Sequence, residues 1–297
     1  MGTYQNNLSP LPLYESLAEQ LHRRPYSHGY VYPLYVHPQT LIPFFFSWEV
    51  TPSEQASTTI EGIKIYKKCV CGDIVDKEPL IGDFNRDFNL DFYIPEASLD
   101  SLELGLAKET RGNKLYLSLY HKGILSSWNL DRGQYYMELS LSSGKTLYSE
   151  VFTVISPADL ESQTIRISWR DVDSLWYDNG FVPYGYDYQN VIYLHTTIGK
   201  PEYPFEEEGK DRDGYFFPEK QISKKTFRFT ALGPESLYDS MRLIGMSDSI
   251  EIRDTFGRTY NPTSFASEIE WLDDGYLAEI QCEFNTDTVV KTVGKHI

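Results

Sequence analysis

The chain has 297 residues, which at roughly 150 per domain means two domains or one large β architecture. Its 27 basic and 43 acidic side chains leave a net charge of −16, and its basic runs are pairs such as Lys67-Lys68 and Lys224-Lys225; without a phosphate-neutralising patch, nucleic acid is excluded as a partner. Apolar residues make up 41% and rings 15%, enough for a core rich in strand-forming aromatics, while no run nears the ~18 apolar residues that cross a bilayer.

Residues Met1 to Asn7 are polar and uncharged, without the basic start and apolar middle of a secretory signal, so no signal peptide is expected and synthesis is placed in a cytoplasm. Cys69, Cys71 and Cys282 agree with that, since an odd count does not suit an oxidising compartment, and a lone C-x-C lacks the second ligand pair of a zinc site. Pro10, Pro12, Pro25, Pro33 and Pro38 forbid a long helix in the leader. Between Pro12 and Pro25, Leu13, Leu17 and Leu21 recur at i, i+4, i+8 and predict one short amphipathic helix.

From about residue 41 to 155 period two dominates. Ile63-Ile65, Leu115-Leu117-Leu119 and Met137-Leu139-Leu141 each alternate with other side chains, and residues 134 to 154 predict a hairpin around Ser142-Ser143-Gly144-Lys145. Asp83, Asn85, Asp87, Asn89 and Asp91 imitate a calcium loop, but Phe88 and Ile94 stand where an EF-hand needs Gly and Glu, and Phe84, Phe88, Leu90 and Phe92 fit an amphipathic strand instead. Leu130, Gly133 and Tyr135 form an L-x-x-G-x-Y pattern that resembles the tyrosine corner of immunoglobulin-like sandwiches. Residues 1–156 are therefore expected to hold the proline-rich leader and an immunoglobulin-like β-sandwich.

Ser156-Pro157-Ala158-Asp159 breaks the β pattern and predicts a hinge, with a second domain over 157–297. Ile165-Ile167-Trp169, Val191-Tyr193 and Phe227-Phe229 read as strands, with an acidic loop before the last of them. Leu237, Met241 and Ile244 then recur at helical spacing, predicting a helix near 234–245 that Gly245 closes. Ile250-Ile252, a turn at Asp254 to Gly257, and a hairpin centred on Asp274-Gly275 follow, and Asn285 to Val293 looks extended and able to join a sheet edge. The expected class is mainly β: two β-rich domains, the second an antiparallel β domain with one short helix.

Chemistry is harder to find. Glu206-Glu207-Glu208 and Asp211 to Asp213 concentrate carboxylates, but glycosidic acid–base work needs two of them held across a cleft, and neighbours on a solvated loop do not supply that. Of the histidines, His195 sits in a strand, and no two have metal-binding helical spacing. There is no G-x-S-x-G elbow, glycine-rich phosphate loop or dinucleotide fingerprint, so no catalytic, cofactor-binding or metal residues are expected. The most suggestive surface is Trp176 with Tyr184, Tyr186 and Tyr188; on a strand the three tyrosines share one face, as an interface or glycan platform would, although packing within the domain explains them as well.

The stretches Asn190 to Leu194, Asp211 to Lys220 and Thr286 to Lys291, with the strand Tyr148 to Val154, resemble a family of proteins from phage and prophage structural regions of gut anaerobic bacteria. The family supplies no catalytic residues. The resemblance implies a virion or tail-associated building block, made in the bacterial host's cytoplasm and then carried on the particle. It agrees with a non-enzymatic assembly protein that contacts copies of itself or other virion proteins through sheet edges and aromatic patches. The alternative is a carbohydrate-binding or adhesion module that uses the tyrosine row.

Overall fold

The computed structural model describes residues 9–19, 34–38, 64–66, 130–173, 182, 184, 189–272 and 277–292, and the backbone alone of 44–49, 60–63, 67–68, 88–95, 104–111, 114–121, 175–177 and 180–181. The chain is mainly β, in several largely antiparallel sheets.

The N-terminal part contributes β1 (Leu13–Tyr14), β2 (Leu34–Val36), β3 (Phe44–Glu49), β4 (Ile60–Lys68), β5 (Phe88–Pro95), β6 (Leu104–Arg111), β7 (Lys114–His121), β8 (Gly133–Leu141), β9 (Thr146–Ser149) and β10 (Phe152–Val154). β4 runs antiparallel along β8 from Ile60↔Leu141 to Lys68↔Gln134 and carries β5 on its other side. β9 and β10 both pair with β8, so they share its remaining edge as one strand interrupted at Glu150 and Val151. β1 joins β9 antiparallel and β2 joins β10 parallel. A separate sheet has the order β3-β7-β6.

Alternation explains why β8 forms. Tyr135, Met137, Leu139 and Leu141 are buried on one face, with Leu147, Phe152 and Val154 from the neighbouring strand. On the opposite face the Tyr136 ring stacks on Tyr66 at 5.0 Å, and Lys64 Nζ donates to Glu138 Oε1 at 2.9 Å. The break between β9 and β10 is satisfied locally: Met137 N–H donates to Ser149 Oγ at 2.9 Å, and Glu150 N–H donates to the Pro12 carbonyl at 2.9 Å. That last bond corrects the leader helix. Leu13 lies in β1, paired with Ser149, and Leu17–Glu19 makes a 3-10 turn, while Leu21 lies outside the described residues. Leu11 and Leu13 are the buried pair, so two-residue alternation overrides the four-residue spacing.

Residues read as a hinge at 156–159 begin a helix, α1 (Pro157–Gln163). Ser156 Oγ accepts from Asp159 N–H at 3.1 Å, Pro157 takes a first-turn position, and Leu160 is buried. Beyond it come β11 (Ile165–Arg170), β12 (Leu175–Tyr177), β13 (Gly180–Val182), β14 (Asn190–Leu194), β15 (Phe205–Arg212), β16 (Tyr215–Pro234), α2 (Glu235–Met241), β17 (Ser249–Arg253), β18 (Thr259–Tyr260), β19 (Ser264–Trp271) and β20 (Leu277–Thr292). They form the sheets β14-β11-β17-β18 and β15-β16-β20-β19 and the hairpin β12-β13. Among the described residues, no strand before residue 157 pairs with one after it.

The core here gathers Ile165, Ile167 and Trp169 of β11, Phe227 and Phe229 of β16, Ile280, Cys282 and Phe284 of β20, and Leu237 and Met241 of α2. Phe227 stacks on Phe284 at 5.2 Å between ring centres. The predicted helix near 234–245 is shorter than its spacing implied: α2 ends at Met241 and Ile244–Met246 is a separate 3-10 turn. Gly245 lies within that turn rather than closing α2, and a Cβ there would stand 2.6 Å from the Phe265 carbonyl oxygen.

Candidate interaction surface

β16 has 20 residues, about twice the usual maximum for a strand, and β20 has 16. Their character changes along the length. From Thr226 to Pro234 most of β16 is buried, whereas Tyr215 to Lys225 is exposed or half-buried and runs beside β15, every residue of which is exposed. The distal parts of β15, β16 and β20 therefore form an arm that leaves the core.

The arm's tip is a two-residue turn. Arg212 pairs with Tyr215, and Asp213 and Gly214 between them have φ of 55° and 82°, the left-handed pair a type I′ hairpin demands. The acidic run expected to be a solvated loop is thus strand β15, and its carboxylates are cross-strand partners. Lys224 Nζ donates to Glu206 at 3.0 Å, Gln221 Nε2 to Glu207 at 2.6 Å, and Lys220 Nζ lies 3.4 Å from Glu208. Lys210 Nζ donates to Glu219 at 2.8 Å beside a bulge at Glu208/Gly209.

Exposed apolar side chains gather on this arm. Phe205 is 59% exposed, Tyr215 72%, Phe216 49% and Phe217 53%, with Tyr203 at its base and Val289 and Val290 on β20 also open. An ion-paired scaffold that presents rings to water has the make-up of a contact surface, because a folded chain ordinarily hides such groups. The tip hairpin carried a sequence signal in Asp213-Gly214, but charges on both faces of β15 hid the strand that leads to it.

Of the tyrosine row, Tyr184 alone lies within the described residues. Tyr184 is 1% exposed and accepts a hydrogen bond from Asn190 Nδ2 at 3.3 Å; burial pushes its phenol pKa well up, and its ring is core rather than platform. Trp176 lies in β12 opposite Phe181, with its side chain outside the described residues, as are Tyr186 and Tyr188. His195 stands just past the end of β14 and, with Tyr35, Tyr193 and Glu279, lines a cavity of about 330 Å³ between the N- and C-terminal parts of the chain.

Carboxyl groups meet at Asp171 and Asp248. The hydrogen bond that protonated Asp171 donates to Asp248, then burial, holds Asp171 above the usual carboxylate range, and both are at the surface beside exposed Val172. Among the described residues no cluster of three or more His, Cys, Asp or Glu side chains is arranged to hold a metal ion. Cys282 is buried, while Cys69, Cys71 and Asp83 to Asp87 fall outside the described residues. No helix among the described residues is long and apolar enough to cross a membrane. No protein-family model matches the sequence, and no curated protein matches it.

Proposed function

We propose that this chain is a non-enzymatic structural or assembly protein that works through protein–protein contacts, of the virion or tail-associated kind its resemblance implies. The observation that carries the reading is the arm, where Phe205, Tyr215, Phe216 and Phe217 stand in water on a hairpin held by cross-strand ion pairs. Rings and exposed strand edges are the two means by which β proteins recruit neighbours.

We infer for residues 34–154 an immunoglobulin-like sandwich. The strand orders β3-β7-β6 and β5-β4-β8 with β10 and then β2 support it, and so does the Tyr135 hydroxyl, which donates to the Asp131 carbonyl at 2.8 Å as a tyrosine corner does. Such domains serve as spacers and contact modules more often than as catalysts, an argument by analogy of fold.

Size-exclusion chromatography with light scattering tests the reading. The full chain is expected to form species larger than a dimer as concentration rises, and a Tyr215→Ser, Phe216→Ser, Phe217→Ser variant is expected to lose them by at least about tenfold in concentration. Identical behaviour of the two proteins would remove the arm's rings from assembly. A glycan array that binds the full chain would shift the reading toward adhesion.

A further inference from the structure

The distal edge of β20 has no strand beside it among the described residues. β19 covers β20 only as far as Asn285, opposite Ser264, while β16 continues along the other side through Lys220↔Thr292. Thr286 to Thr292 therefore presents one row of outward backbone groups, with Val289 64% and Val290 50% exposed. Thr and Val are strong strand formers; the one register shift along this stretch leaves Thr286 unpaired at its start, and from Asp287 to Thr292 neither proline nor a bulge interrupts the edge among the described residues.

The segment Thr286-Asp287-Thr288-Val289-Val290-Lys291-Thr292 is charge-complementary to itself when reversed. We propose that two copies of this chain pair edge to edge here, antiparallel about a two-fold axis at Val289, so that the β15-β16-β20-β19 sheets join into one; this rests on the assembly reading above and names its closed contact. In that register Asp287 faces Lys291 of the partner subunit and Lys291 faces the partner's Asp287, while Val289 meets the partner's Val289 on the axis. Asp287, Val289 and Lys291 share one face, because side chains alternate along a strand. Sliding the pair by two residues separates both charge pairs, and a parallel in-register pairing sets like charges against each other, so electrostatics selects this arrangement. Five regularly paired residues, Asp287 to Lys291, span about 17 Å of new ladder at ~3.4 Å each. The contact is isologous and closes at a dimer, leaving the arm's rings for other contacts.

Sedimentation velocity on the full chain tests it by charge reversal. Asp287→Lys alone and Lys291→Asp alone each place like charges opposite one another twice per dimer and should weaken dimerisation at least about tenfold, with an unchanged far-ultraviolet circular dichroism spectrum. An equimolar mixture of the two single variants should dimerise again, because one subunit then brings two lysines to this face and the other brings two aspartates to the positions opposite them. The double reversal should also recover. A Val289→Cys chain should form a disulfide mapped to 289–289, since directly opposed residues lie about 4.5–5.5 Å apart between Cα atoms. A chain that stays monomeric throughout, or dimers indifferent to the reversals, overturns the edge pairing. Larger species that survive the reversals but vanish with the arm's rings overturn the pairing and leave the assembly reading standing. Dimers broken by the reversals and indifferent to the rings do the opposite.

Discussion

Tyr135 and Asp131 are fastened to each other across the start of β8: the phenol, in a ring that is fully buried, donates to the Asp131 carbonyl oxygen at 2.8 Å. The ring also packs on Phe152 at 6.1 Å, so one side chain ties the turn before β8 to the neighbouring strand β10. Tyr135→Phe keeps the packing and removes the bond. It is expected to cost about 1 kcal/mol in urea unfolding, and an unchanged midpoint would show that the corner does not lock the crossover.

A second fastening is electrostatic. The Asp254 carboxylate, 3% exposed, accepts from the N–H groups of Phe256 and Arg258 at 2.9 and 2.8 Å, from Arg258 Nε at 2.7 Å and from the Tyr260 hydroxyl at 3.1 Å. Burial pushes its pKa up, but the bonds from Arg258, Phe256 and Tyr260 together hold it below the ordinary carboxylate value. A depressed folded pKa gives stability that is complete above the unfolded value of about 3.9 and is lost as pH falls through the folded one. Asp254→Asn is therefore expected to cost about 2 kcal/mol at pH 7, with the gap to wild type narrowing below pH ~4. A gap that stays constant down to pH 2 in urea titrations would rule the charge out as the cause.

How much of this was legible depended on where apolar side chains fell. β8 and β11 could be read directly because Met137, Leu139 and Leu141, or Ile165, Ile167 and Trp169, alternate and are buried as the alternation demands. The leader misled because Leu11 and Leu13 satisfy period two while Leu13 and Leu17 satisfy the helical period; the backbone bond to Pro12 and the pairing of Leu13 with Ser149 decide, and neither is local. β15 was invisible for the opposite reason: its glutamates find partners 12 to 18 residues away on β16, so nothing within the segment marks a face. Tyr184 shows the remaining limit, since period two says which rings share a face but not whether that face meets water or core.

Cys282 offers a check on the β16–β20 core. It is 3% exposed, and burial pushes its thiol pKa far up, so little reactive thiolate forms. In the native full chain it is expected to resist iodoacetamide at pH 8 for hours and to react within minutes in 6 M guanidinium, as followed by peptide mass mapping. Rapid native labelling of Cys282 would mean that β20 opens readily along this stretch.

The arm's shape depends on Gly209. It sits at the bulge opposite Pro218, where a Cβ would overlap the Phe217 carbonyl oxygen and stand 2.8 Å from the Phe216 ring. Backbone cannot yield as a side-chain tip does, so Gly209→Ala must shift β15 away from β16 or undo the bulge. Gly214 differs: nothing lies within 4 Å of a Cβ there, and its φ of 82° charges Ala only the left-handed conformational cost of about 1 kcal/mol. Amide hydrogen exchange separates the two. Gly209→Ala is expected to speed exchange at least about tenfold from Glu206 to Lys220, Gly214→Ala to loosen only the residues flanking the turn, and both to leave the buried half of β16 protected. Faster exchange at Phe227 and Phe229 in either variant would show that the arm and the core unfold as one unit, and the arm would then be part of what stabilises the fold rather than an appendage built for contact.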